Sequence, residues 1–188
     1  MNSFYSISEL KELGLKSYGE NVLISKKSSI YSPEKIEIGN NVRIDDFCIL
    51  SGEIKLGNFI HISAYSALYG KFGIEMKDYS GISPNSIIFS ASDDFSGNFL
   101  INPMVPQKYV NVIGGKVIIS KYVQIGSSCV IMPNLTINEG AVIAAMSFVN
   151  KNVDEWSIYG GIPSKFIKPR SKKLLEKIKL LEKKFYDD

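Results

Sequence analysis

The stretch "IEIGNNVRIDDFCILSGEIKLGNFIHISAYSAL", residues 36–68, decides the fold. Two columns run through it at a spacing of six. The first holds Ile36, Val42, Cys48, Ile54, Ile60 and Ser66; the second, two residues later, holds Ile38, Ile44, Leu50, Leu56, Ile62 and Leu68. Alternation inside each unit is strand periodicity. One unit is too short to bury its own apolar face, so like units must stack and share a buried column. Gly, Asn and Asp collect between the columns, where they tolerate the left-handed backbone of tight corners.

The pattern extends outward from this stretch. A two-residue insertion near Gly70 shifts the frame, which resumes with Ile74, Ser80 and Ser86 over Met76, Ile82 and Ile88. After a break it returns as Val117, Val123, Cys129, Leu135, Ala141 and Ser147 over Ile119, Ile125, Ile131, Ile137, Ile143 and Val149. The second column is aliphatic or Met throughout, and the first is small wherever it is not aliphatic. Such a repeat predicts an all-β solenoid, a parallel β-helix with six residues per face. Cys48 and Cys129 fall in the inward column and read as small core residues.

Both ends predict helices. "SISELKELG" (6–14) carries a capping box in Ser6 and Glu9, with Leu10 and Leu13 as its apolar side. "SKKLLEKIKLLEKKF" (171–185) spaces Leu174, Leu175, Ile178, Leu181 and Phe185 as one helical stripe. These helices are expected to cap or buttress the solenoid. The division is 1–20 as an N-terminal helical cap, 21–163 as the β-helix with a loop at 89–116, and 164–188 as the C-terminal helix.

The 188 residues carry a net charge of +3, with the basic excess concentrated after Lys165. A charge run that local reads as a solvated helix face or a polyanion patch, and does not make the chain a nucleic-acid binder. No apolar run is long enough to span a membrane, and the N-terminus lacks the form of a secretory leader. Two cysteines make no disulfide framework. A cytoplasmic protein is expected.

The break at 89–116 is a long insertion, and such insertions are usually functional. It is also apolar, with Phe95, Phe99, Leu100, Ile101, Met104, Val105, Tyr109, Val110 and Ile113, so something must cover it.

The repeat, together with "YGGIPSKFIKPR" (159–170), resembles the hexapeptide-repeat, left-handed β-helix acyltransferases over roughly residues 20–170. The left hand and three faces per coil come from that resemblance. It further implies acetyl-CoA as acyl donor, no metal, and a homotrimer with active sites between subunits. The excursion loop then packs on a neighbouring subunit or folds back on its own coil.

In O-acetyltransferases of that family a histidine follows the last strand before the loop, in a run like Thr-Ala-Thr-His. The matching run here is Ser90-Ala91-Ser92-Asp93. A sugar hydroxyl is a weak acid and needs a near-neutral base such as imidazole to take its proton. A carboxylate of ordinary pKa (~3.9) serves poorly. A sugar amine needs orientation and support for the positive charge growing on nitrogen, which Asp93 and Asp94 can supply. The alternative is that the two acids simply start a turn. His61, the single histidine, lies in an outward slot of an earlier coil. Ser83 can bond the amine or an aspartate, or serve as a corner residue.

The missing histidine narrows the resemblance to N-acyltransferases of nucleotide-linked 4-amino-4,6-dideoxy sugars, in cell-surface polysaccharide (O-antigen) biosynthesis. An O-acetyltransferase of the same fold is the rival. A zinc hydratase of this architecture needs three histidines, and a bare scaffold needs neither loop nor closing motif. On the donor side the resemblance points to Gly126, Ser127, Ser128, Ala144 and Ala145 along the pantetheine arm, though small residues suit any tight corner. Lys165 and Arg170 match its phosphate-binding cations. Trp156 and Tyr159 either stack on adenine or pack in the core.

Overall fold

The computed structural model describes residues 3–186 of the chain, and its body is the parallel β-helix that the repeat predicts. Three stacks of short strands form three faces. The first face runs through Val22–Ile24, Val42–Ile44, Ile60–Ile62, Gly81–Ile82, Gln124–Ile125, Val142–Ile143 and Ser157–Gly160, all parallel. The second takes Ser29–Tyr31, the start of Ile49–Leu56, the start of Ala67–Met76, then Ile87–Phe89, Val130–Ile131 and Phe148–Val149. The third takes Ser17–Tyr18, Ile36–Ile38, the ends of the two long strands, Val117–Ile119 and Thr136–Ile137. Val42 pairs with Ile60 and Gln124 with Val142, so one coil takes eighteen residues.

Every position of both sequence columns is buried. Where the first column holds a serine, its hydroxyl is satisfied by a nearby carbonyl. Ser66 Oγ donates to Ser83 O at 3.3 Å, Ser86 Oγ to Gly126 O at 2.9 Å, and Ser147 Oγ to Ala144 O at 2.6 Å. The cysteines use the same geometry, Cys48 Sγ to Ser63 O at 3.2 Å and Cys129 Sγ to Ala144 O at 3.1 Å. Burial pushes the Cys48 thiol up to about 11. Both cysteines are core residues.

The corners differ from the expectation in one respect. Asn21, Asn41 and Asn85 do adopt positive φ, but so do Phe47, Phe59, Tyr65, Tyr79, Tyr122 and Trp156. Left-handed backbone costs a non-glycine residue roughly 1–2 kcal/mol. The rings recover that by stacking coil on coil: Phe59 on Tyr79 at 4.7 Å, Tyr79 on Tyr122 at 5.7 Å, and Phe47 on Tyr65 at 5.0 Å. Such pairs contribute about 0.5–1.5 kcal/mol beyond burial.

At the N-terminus, helix α1 (Ile7–Glu12) carries the capping box: Glu9 N donates to Ser6 Oγ and Ser6 N to Glu9 Oε2. Leu10 is buried against the first coil. The C-terminal segment is more elaborate than a helix. Strand Lys165–Pro169 first folds back antiparallel on Ser157–Gly160 and closes the first face. Helix α2 (Leu174–Tyr186) follows. Glu182 of α2 reaches Tyr79 beside the aromatic corner, so the helix buttresses a flank. Leu174, Leu175 and Ile178 are half-covered and Leu181 is exposed; the Phe185 side chain lies outside the described residues. Among the described residues no helix is long and apolar enough to cross a membrane.

The excursion is anchored at its base. Ala91–Asp93 pairs antiparallel with Val112–Gly114, zipping the two ends of the loop together. Beyond that zipper Phe95, Leu100, Ile101 and Met104 stay exposed.

The inward columns should dominate stability. Leu68→Ala, at a fully buried site, is expected to cost about 2–5 kcal/mol, while Thr136→Ala on the outer surface should cost no more than ~0.5 kcal/mol. Denaturant midpoints of the two variants check this.

Candidate active site

Asp93 ends the strand Ala91–Asp93, opposite Val112. It is half-buried and lines a groove of about 1110 Å³ between the third coil and the excursion, with Lys71, Phe72, Phe89, Phe95 and Asn102. Its carboxylate has no hydrogen-bond or ion-pair partner among the described residues. Successive residues of an extended chain face opposite ways, and Asp94 turns away from the groove. Asn111 Nδ2 donates to Asp94 Oδ2 at 2.9 Å, Ser96 N to Oδ1 at 2.8 Å, and Asp94 N to Asn111 O at 3.0 Å. The Asn111 amide, with the Ser96 bonds, holds the Asp94 carboxyl below its ordinary value. The two acids are thus a free carboxylate facing a groove and a fastened one tying the loop.

Ser83 sits elsewhere. It starts the corner before the strand Ile87–Phe89, whereas Asp93 lies past that strand. Residues of successive coils stack directly on this corner: Ser83 N donates to Ile125 O, Gly126 N to Ile143 O and Ala144 N to Tyr159 O, each at 2.8 Å. Ser83, Gly126–Ser128 and Ala144–Ala145 therefore form one continuous edge. Packing already requires small residues there. A Cβ on Gly126 would stand 2.6 Å from Ala145 N, and Ala144 lies under Gly160. Ser128 holds positive φ and donates its N–H to Pro84 O.

Of the expected cations, Lys165 is exposed on the closing strand. Arg170 is partly buried, and its Nη1 donates to Tyr122 O at 2.7 Å and Gly140 O at 2.9 Å, pinning the closing segment to two coil corners. Burial draws its pKa down. Trp156 is buried over Gly140, where a Cβ would meet its ring at 2.5 Å; it packs at a coil corner against Tyr122. Tyr159 donates to Asp154 at 2.7 Å. His61 Nε2 meets Asp45 Oδ2 at 2.7 Å on the outer surface of the first face, next to Arg43, away from the groove. Among the described residues no cluster of His, Cys, Asp and Glu could hold a metal ion.

Two residues escaped the sequence reading. Lys71, at the groove, sits in the frame-shifting insertion and belongs to no column. Gln124 occupies an outward slot like any surface residue, yet its amide reaches Ser83.

No protein-family model matches the chain. A dTDP-4-amino-4,6-dideoxy-D-glucose acyltransferase of Escherichia coli is 46% identical over 171 residues, 89% of each chain. The crystal structure of AntD, an N-acyltransferase from Bacillus cereus, in complex with dTDP and 3-hydroxybutyryl-CoA, superposes with a TM-score of 0.96 at 53% identity, covering 99% of this chain and 100% of that one. A serine-to-alanine variant of AntD with dTDP-4-amino-4,6-dideoxyglucose and Coenzyme A gives a TM-score of 0.93, also at 53% identity, covering 100% of this chain and 99% of that one.

The contrast between the two acids can be measured. A carboxyl held below its ordinary 3.8 stabilises the fold above that pH, and the contribution is lost as pH falls through the lowered value. Asp94→Ala at neutral pH should mimic that loss and speed amide exchange across residues 95–110, while Asp93→Asn should leave exchange there unchanged. Hydrogen–deuterium exchange mass spectrometry reads both.

Proposed function

The chain belongs to the dTDP-4-amino-4,6-dideoxyglucose acyltransferase family, and on that premise we propose that it transfers the acyl group of acetyl-CoA or a related acyl-CoA to the 4-amino group of a dTDP-linked 4-amino-4,6-dideoxy sugar. The observation that carries the proposal is the free carboxylate of Asp93 in the groove, at a position where an O-acyl-transferring relative would need imidazole. The unprotonated amine attacks the thioester carbonyl carbon, the new N–C bond forms, and positive charge grows on nitrogen. Asp93 orients the amine and stabilises that charge. The C–S bond then breaks, and the leaving thiolate takes the proton from nitrogen, giving the amide and the coenzyme's free thiol. Asp94 keeps the loop, and with it Asp93, in place.

The acceptor lies in the groove, where Lys71 faces the diphosphate and Phe72 and Phe95 flank the apolar parts of the ligand. The donor's pantetheine arm runs along the edge of Gly126, Ser127, Ser128, Ala144 and Ala145, with Lys165 toward its phosphates. Arg170 supports this end by holding the closing strand.

Donor edge and Asp93 flank opposite sides of the second face, on the order of 20 Å apart at ~3.3 Å per residue. One subunit therefore does not bring them together. The second face presents an outward row of Ile49, Ala67, Ile87, Val130 and Phe148, which is the surface a self-association would bury. Packing three copies through it sets one chain's Asp93 beside another's donor edge, and the apolar excursion covers its neighbour. We place this homotrimer in the cytoplasm, on the route to cell-surface polysaccharide, where a nucleotide-activated product awaits glycosyl transfer.

Asp93→Asn should lower kcat/KM by roughly 10²–10³-fold, read as thiol release from acetyl-CoA with the dTDP-amino sugar. Full activity in that variant, or thiol release only with hydroxy-sugars, would overturn the assignment. Val130→Glu should yield monomers by light scattering and abolish turnover.

A further inference from the structure

Gln124 shares a row with His61 and Gly81 on the outside of the first face. Its amide nitrogen makes two hydrogen bonds, to Ile125 O at 3.2 Å and to Ser83 Oγ at 3.1 Å. The backbone carbonyl can only accept, so it fixes which end of the amide carries the nitrogen. The second amide hydrogen then goes to Ser83, whose oxygen must accept it. The serine's own hydrogen is left over, and no acceptor among the described residues takes it. Gly81 leaves room for this arrangement: a Cβ there would stand 2.9 Å from Gln124 Oε1.

We propose that Gln124 is a positioning residue for the acyl transfer: by donating to Ser83 Oγ it turns the serine hydroxyl outward as a donor to the thioester carbonyl oxygen. The inference rests on the donor edge proposed above, on which Ser83 lies. As the amine attacks, that oxygen gains negative charge, and a hydroxyl with a fixed proton stabilises it without first having to reorient. A freely rotating hydroxyl spends part of its time pointing elsewhere. A glutamate at 124 would be worse, because a carboxylate accepts only and would take the serine's hydrogen for itself.

The test is a double-mutant cycle on the assembled enzyme, with saturating acetyl-CoA and dTDP-amino sugar. Ser83→Ala should lower kcat by about 10²–10³-fold, the usual loss for one donor to a developing oxyanion. Gln124→Met should lower kcat about tenfold, the weight of one oriented hydrogen bond, with KM for both substrates and Tm unchanged. Gln124→Glu should approach Ser83→Ala. Gly81→Ala, which pushes the amide aside and leaves Gln124 itself intact, should reproduce Gln124→Met. In the Ser83→Ala background none of the three should lower kcat further. Full activity in Ser83→Ala would overturn the reading of the serine. A costly Ser83→Ala beside a harmless Gln124→Glu, or losses that multiply in the double variants, would overturn the role of Gln124 alone.

Discussion

Parallel hydrogen bonding of each coil to the next, with equal phase at every turn, is the constraint on which the site depends. Neighbouring strands lie about 4.8 Å apart, so any residue recurs over its counterpart one coil below. Ser83, Gly126 and Ala144 are far apart in sequence and consecutive in space for this reason alone. The excursion respects the same constraint. Ile74 pairs with Val117, Gly81 with Gln124 and Ile87 with Val130, a constant separation on all three faces. The loop is therefore an insertion at one corner, and the coils above it resume in register. A segment can be added there without disturbing the edge on the other side of the second face.

Corners carry the second level of organisation. The inward columns give the fold its stability, and the corners decide what each edge shows to solvent. On one edge the cost of left-handed backbone is offset by a ladder of stacked rings running to Trp156, with Arg170 and α2 laid over it. On the other edge the Phe47–Tyr65 stack of the early coils gives way to Ser83, Gly126 and Ala144, where the next coil's backbone passes within contact distance of Gly126.

Much of this was legible in the chain. The two columns predict the core position by position, because a solenoid repeats one local environment and inward burial is a strict filter on residue type. Ser6 and Glu9 announce their helix through short-range chemistry. What stayed hidden depends on partners distant in sequence. Asp94 is told from Asp93 partly by a local turn bond from Ser96 N, but chiefly by Asn111, seventeen residues beyond it. Arg170 resembles any basic residue of the tail until two carbonyls from coils 30 and 48 residues earlier meet its guanidinium. The ring at a corner looks like an ordinary surface aromatic, since the strain it offsets is invisible without φ.

The electrostatics of the groove bear on which nucleophile it can serve. Asp93 stands among Phe72, Phe89 and Phe95, a setting in which charge interactions are stronger than in water. An attacking amine becomes more positive along the reaction, so an adjacent carboxylate is worth more in the transition state than before it, which is the condition for catalysis. A hydroxyl must shed its proton as it attacks, and its oxygen becomes electron-rich while the proton departs. A carboxylate beside it takes that proton only weakly and repels whatever negative charge accumulates. The same residue in the same place thus favours one acceptor and penalises the other. A saturated acid would do neither well, because hydrogen bonds already drawn to its oxygens reduce both its basicity and its attraction for a cation. Asp94 takes up the loop's hydrogen bonds, and the Asp93 carboxylate is left without a partner among the described residues at the groove.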